Sequence, residues 1–158
     1  MKLDRLTIKK MLLVVTFIIF VAAFILLPRI QNTFNPSISD HFPTHAFTED
    51  RVWRLDIAAT TDSRTLGLGK RPNYPTGQGM LFLFPTNEPH GFWMKDMNFA
   101  IDIIFLRQGK VVSIERAFQP TDERIVIPTR PVDQVLEVNA GEAGDIVVGH
   151  RLWFWRGW

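Results

Sequence analysis

Ile101–Glu115, IDIIFLRQGKVVSIE, is two runs of strand-forming residues on either side of Gln108 and Gly109. A tight polar turn between two such runs predicts a β-hairpin. Successive side chains of a strand point to opposite faces, so Ile101, Ile103 and Phe105 share one side. Asp102 shares the other with Ala100, Ile104 and Leu106, so neither face of the first strand reads as wet. An ionised carboxylate buried among hydrocarbon needs a cation or backbone N–H donors, which places Asp102 near the rim of the strand with a partner.

The stretch just before it, Gly91–Ala100, GFWMKDMNFA, holds the nearest cation in sequence, Lys95, on the side shared by Trp93 and Met97. The same mixture recurs downstream in Gln134–Gly141, QVLEVNAG. There Glu137 and Asn139 share a face with Val135, while Leu136, Val138 and Ala140 lie opposite. Trp93, Lys95, Asp102, Glu137 and Asn139 are therefore the candidate site residues. Set among apolar strands, they suit either a ligand site or a structural polar network.

Further strands are expected at Val52–Ala58 (VWRLDIA, with Trp53, Leu55 and Ile57 on one face) and at Gly79–Phe84 (GMLFLF), which Pro85 stops. Arg124–Pro128 (RIVIP), Gln134–Ala140 and Ile146–Trp155 (IVVGHRLWFW) complete the set. Thr60–Arg71, TTDSRTLGLGKR, has capping residues and two glycines and suits a short helix or turn. Short strands punctuated by Gly and Pro, with no sustained helical period, predict an all-β domain. Its expected form is a β-sandwich or partly closed barrel with one or two short helices. In the final strand Trp153 and Trp155 share a face, and Trp158 ends the chain. Completing the core is the first reading of those indoles; exposed, they would suit a membrane interface or a partner.

Met11–Leu27, MLLVVTFIIFVAAFILL, carries no charge, and at 1.5 Å per residue it reaches roughly 25 Å, the short end of what crosses a bilayer. Lys2, Arg5, Lys9 and Lys10 precede it and Arg29 alone follows closely, which orients the N-terminus to the cytoplasm. No small-x-small cleavage site stands beside Leu27, so a retained anchor is favoured over a cleaved signal peptide. The expected organisation is a basic cytoplasmic stretch over 1–10, a transmembrane signal-anchor over 11–27, a linker over 28–48 and an extracytoplasmic β domain over 49–158. The protein is thus expected in the cell membrane as a single-pass chain, with the membrane as a partner through residues 11–27.

The formal charge is +2, but beyond Arg29 the chain has 13 Lys and Arg against 15 Asp and Glu, a net of −2. The basic character belongs to the leader, so nucleic acid is not an expected partner of the folded part. There is no cysteine, which excludes disulfides, thiolate metal sites and a thiol nucleophile. His41 and His45 are four apart with Pro43 between them, a poor helix and hence a poor metal pair, so neither metal nor cofactor is expected. No Gly-x-Ser-x-Gly elbow occurs.

In order and spacing, GMLFLF, FWMKDM, IDIIF, GKVVSIE, VLEVNAG and VVGHRLWF resemble the domain of unknown function 192 family of bacteria and archaea, over about Val52–Phe154. The resemblance implies a jelly-roll-like β-sandwich and no established activity. The chain departs from the family pattern at Asp96 and Met97 (usually Asn-Thr), at Ala100 and Ile101 (usually Pro-Leu before the Asp) and at Gly69 (usually Met). It also has His150 where an acidic residue usually follows the late glycine. Three functions stay open: a small polar ligand or protein partner held near Trp93, a hydrolase pairing Asp102 with Glu137 as acid and base, and a structural protein in which these groups only fasten loops.

Overall fold

The computed structural model describes residues 42–156. The expected transmembrane segment and most of the expected linker lie outside the described residues, among which no helix is long and apolar enough to cross a membrane. The elements are β1 (His45–Phe47), β2 (Val52–Ala58), α1 (Thr61–Leu66), β3 (Gln78–Glu88), β4 (Ile101–Arg107), β5 (Lys110–Phe118), β6 (Val132–Asn139) and β7 (Trp153–Trp155).

The strands form one sheet in the order β5-β4-β6-β3-β2-β1-β7, antiparallel throughout except for the parallel pair β2 and β3. The fold is all-β, but it is a single curled sheet and not the two packed sheets of a sandwich. Its two ends meet where Lys110 bridges to Arg151, with Val111 N–H donating to the His150 carbonyl (2.9 Å) and Leu152 N–H to that of Gly109 (2.8 Å). Register irregularities in β4–β5 and between Leu83 and Glu88 supply the local bends that a curling sheet requires.

Curling gives the sheet an inside and an outside, each with its own core. Trp53, Leu81, Ile104, Leu106, Val111, Leu136 and Leu152 form one cluster. Because it draws on both ends of the strand order, it is the barrel interior. Met80, Phe82, Ile103, Phe105 and Val135 point outward, under Leu68, Tyr74, Phe92, Met94 and Phe118.

The central hairpin forms as its sequence predicts, with Gln108 and Gly109 both at positive φ (51° and 74°), the pattern of a two-residue turn that matches strand twist. Elsewhere the boundaries differ. Pro85 does not end β3: the strand runs to Glu88 with a register shift, because a proline removes one ladder donor without ending extended backbone. Arg124–Pro128 is not a strand, since only Val126 bridges, to Phe92. The last strand shrinks to three residues, because the chain from Ala143 to His150 winds through turns. Residues expected to end the linker instead form β1, paired with both β2 and β7.

Candidate functional site

Parallel pairing of β2 and β3 obliges the chain to cross from one end of the sheet to the other between them. Residues 59–77 make that crossover over the outer face. Its helix α1 starts at Thr60, whose hydroxyl accepts from Ser63 N–H (3.2 Å) while Ser63 Oγ accepts from Thr60 N–H (2.9 Å), a reciprocal cap. The turn that follows lies against the Lys95–Asp96 turn, with Lys70 N–H donating to the Asp96 carbonyl at 2.7 Å. Gly69 permits that approach: a Cβ there would sit 2.9 Å from the Leu66 carbonyl oxygen and 3.4 Å from that of Lys95.

The opposite wall is the 89–97 loop. Phe92 exchanges two backbone hydrogen bonds with Val126 (2.9 and 2.8 Å), and its ring packs edge-on against Phe82 and Phe105. Strand-like alternation there buries Phe92 and Met94 and turns Trp93, 54% exposed, and Lys95 outward. Lys95 Nζ lies 5.7 Å from the Trp93 ring centre.

Between the two walls is an open cleft of about 300 Å³. Its floor includes Leu68, Phe82, Phe92 and Glu137, and its sides include Arg64, Phe84, His90, Trp93 and Lys95. Arg64 Nη1 donates to the carbonyls of Ala59 (2.6 Å) and Leu83 (3.0 Å), fixing the guanidinium over the Phe84 ring. The His90 ring stacks on Phe84 at 3.6 Å between centres.

Glu137 stands between Met80 on β3 and Ile103 on β4, 5% exposed, and no described residue gives its carboxyl a hydrogen bond or an ion pair. Burial alone pushes its pKa up to about 8. At neutral pH the cleft floor therefore presents mainly a protonated carboxyl, able both to donate and to accept.

Asp102 is elsewhere. It points to the barrel interior, 1% exposed, where Oδ1 accepts from Ala117 N–H (2.8 Å) and Oδ2 from Gly141 N–H (2.9 Å) and Ala143 N–H (3.0 Å). It is paired with Val138 on β6, so the next residue along that strand, Glu137, faces the other side of the sheet. The acid–base pair that hydrolysis by these two carboxylates requires is not formed. Lys95 is not its partner either; of the two alternatives for Asp102, backbone donors are the ones present.

Asn139 shares the outer face with Glu137, and its Nδ2 donates to the Tyr74 carbonyl (2.9 Å), pinning the crossover to the sheet. Beside it, Arg71 pairs with Asp56 at 2.8 Å and the Tyr74 hydroxyl donates to the same carboxylate oxygen at 3.4 Å. Burial, then the Asp56 charge, raise the Tyr74 phenol above its usual range, so it keeps its proton. Of the five candidates, the structure brings Trp93, Lys95 and Glu137 to one cleft and assigns Asp102 and Asn139 to fastening the fold. Sequence reasoning missed Arg64 and His90. The reciprocal cap at Thr60–Ser63 was a signal for Arg64, since it fixes the helix on which Arg64 sits; His90 had none. Among the described residues no three His, Asp or Glu side chains gather as a metal set.

A curled all-β domain with a crossover-built cleft over a buried acid is the class that this geometry defines. Residues 44–154 match the model of the DUF192 family, described as "Uncharacterized ACR", and the chain belongs to that family. Two solved structures are similar. One is a protein of unknown function from Novosphingobium aromaticivorans, 28% identical with a TM-score of 0.65, over 70% of this chain and 83% of that one. The other, from Sinorhizobium meliloti, is named a candidate transcription regulator; it is also 28% identical with a TM-score of 0.65, over 70% of this chain and 90% of its own. No curated protein matches the chain in sequence.

Proposed function

We propose that the domain is a small-ligand-binding module and that its cleft takes a ring-bearing organic anion, such as a sugar acid or an aromatic carboxylate. The observation that carries this reading is Glu137: a residue 5% exposed, its carboxyl without a partner among the described residues, lining a cleft walled by aromatic rings. The Glu137 oxygens are not among the sealed, unpaired side-chain atoms of the described residues, so they open on the cleft, where a ligand oxygen or hydroxyl can pair with them. Trp93 offers a flat face for a ring, and Lys95, Arg64 and His90 bring cationic or ionisable nitrogen to the sides, where an anionic substituent would lie. Residues 11–27 hold the domain on the outer side of the cell membrane, as their apolar length and flanking charges support.

A thermal-shift screen of sugar acids and aromatic carboxylates against the full chain in detergent tests the cleft. Hits that raise the melting temperature of the wild type and lose that effect in both Trp93→Ala and Glu137→Leu support it; equal shifts in all three proteins would sink it. Binding is also expected to weaken as pH rises through about 8, because an ionised Glu137 repels an anion and no longer donates. Topology is tested separately by adding protease to intact cells: an untouched C-terminal domain beside a digested exported control refutes the outer location.

A further inference from the structure

The outer face of the sheet is not covered evenly. Over β3, β6 and β4 it lies under the crossover and the 89–97 loop, but over the first half of β2, β1 and β7 no described cluster packs on it. The inward residues there, Trp53, Ala46 and Phe154, join the barrel interior, so the outward ones form a face of their own. Register sets them in two rows, Val52–Phe47–Trp153 and Arg54–His45–Trp155. Trp153 stacks on Phe47 with ring centres 5.9 Å apart, and Trp155 lies tilted 5.6 Å from His45. Even so, the two indoles stay 43% and 45% exposed and Val52 63%. Two half-exposed tryptophans ordered on a sheet face are not core, which corrects the first reading of this ending.

The Trp155 end of the patch is basic: exposed Arg54 stands in the Trp155 row and exposed Arg156 follows Trp155. At the other end charge is mixed, with Glu49 and Asp50 beside Arg51 and Arg151. The chain enters the domain at the basic end, where Thr44 N–H donates to the Trp155 carbonyl at 2.8 Å. Pro28–Thr44 is 17 residues, a reach of at most ~60 Å from the end of the apolar run to that row.

From these observations we infer that the Val52–Phe47–Trp153 and Arg54–His45–Trp155 rows are a membrane-docking face, whose occupant is the headgroup zone of an anionic bilayer. Indole rings settle at that depth, with an apolar body and one N–H donor, and arginine meets lipid phosphate while its stem stays among hydrocarbon. The basic end, with Arg54 and Arg156 and nearest the entry of the tether, docks first. The face rests on the proposed anchoring, not on the cleft.

The full chain is reconstituted into phosphatidylglycerol vesicles carrying brominated acyl chains, recovered by flotation, and read by tryptophan fluorescence. Trp153→Phe/Trp155→Phe is expected to lose at least half of the quenching seen in the wild type. Arg54→Glu/Arg156→Glu, which leaves the rings in place, is expected to lose a similar part, as is the wild type in phosphatidylcholine vesicles. A chain that floats with equal quenching in wild type and both variants overturns the docking face and leaves the anchor standing. A chain that neither floats nor is quenched by added vesicles overturns both. Cross-linking of a Trp155→Cys variant into dimers without lipid quenching assigns the face to a second copy and overturns the bilayer as occupant.

Discussion

Asp102 and Glu137 sit on neighbouring strands, almost level with each other, and both are buried, yet their surroundings differ in kind. Asp102 faces the barrel interior and takes three backbone N–H bonds, so its burial is offset and it ties β4 to the Ala117 bulge and to the 141–143 turn. Glu137 faces the crossover and receives none, so burial is expressed as a raised pKa. The same residue class at the same depth is a fastening in one case and an available group in the other. Hydrogen-bond partners decide which, not burial.

The largest effect expected from breaking this comparison is at Asp102. Asp102→Ala orphans three buried donors and leaves a void, and should cost about 3–5 kcal/mol in urea unfolding at pH 7. A loss below ~1 kcal/mol would put Asp102 in the same category as Glu137. At Glu137 the sign reverses. The carboxyl keeps its proton in the fold up to about pH 8 but loses it near 4.5 when unfolded, so wild-type stability falls as pH rises between those values and is level above them. Glu137→Gln removes that slope: near-neutral at pH 4, it should stabilise the domain by about 2–4 kcal/mol at pH 8. Parallel pH profiles of the two proteins would show that Glu137 has a hidden partner.

Two smaller changes sharpen the picture around the cleft. Gly69→Ala drives a methyl to 2.9 Å from the Leu66 carbonyl, so the helix turn and the Lys95–Asp96 turn must part, at about 1–3 kcal/mol by thermal melting. Trp93→Ala should change stability by less than about 0.5 kcal/mol, since the ring is half exposed, while abolishing ligand-induced stabilisation.

The sequence showed the hairpin, the two faces of β6 and the alternation in β2, because a period of two survives wherever one side packs on a core. It also showed which residues were chemically out of place. What it did not show was the side of the sheet on which each acid ends. Asp102 and Glu137 each lie opposite a run of aliphatic residues, and a sheet buried on both faces gives the two sides the same composition. The Arg124–Pro128 and Ile146–Trp155 segments read as strands because β-branched residues are equally at home in extended loops pinned by a single bridge. His90 stacking on Phe84 joins residues six apart across a proline-interrupted strand end, a geometry that no periodicity encodes.

The lone parallel junction in this sheet, between β2 and β3, has one more implication. Because those strands run the same way, about twenty residues must be spent returning across the outside, and none of the ladder bonds depends on their identity. The molecule thus carries one wall of its cleft, Arg64 included, on a strap outside the ladder: rewriting the exposed residues of 59–77, with the buried Leu68 and Tyr74 kept, alters what the pocket accepts while the strand register stays put. A chimaera that exchanges only those exposed residues between relatives should keep its architecture and change its choice of guest.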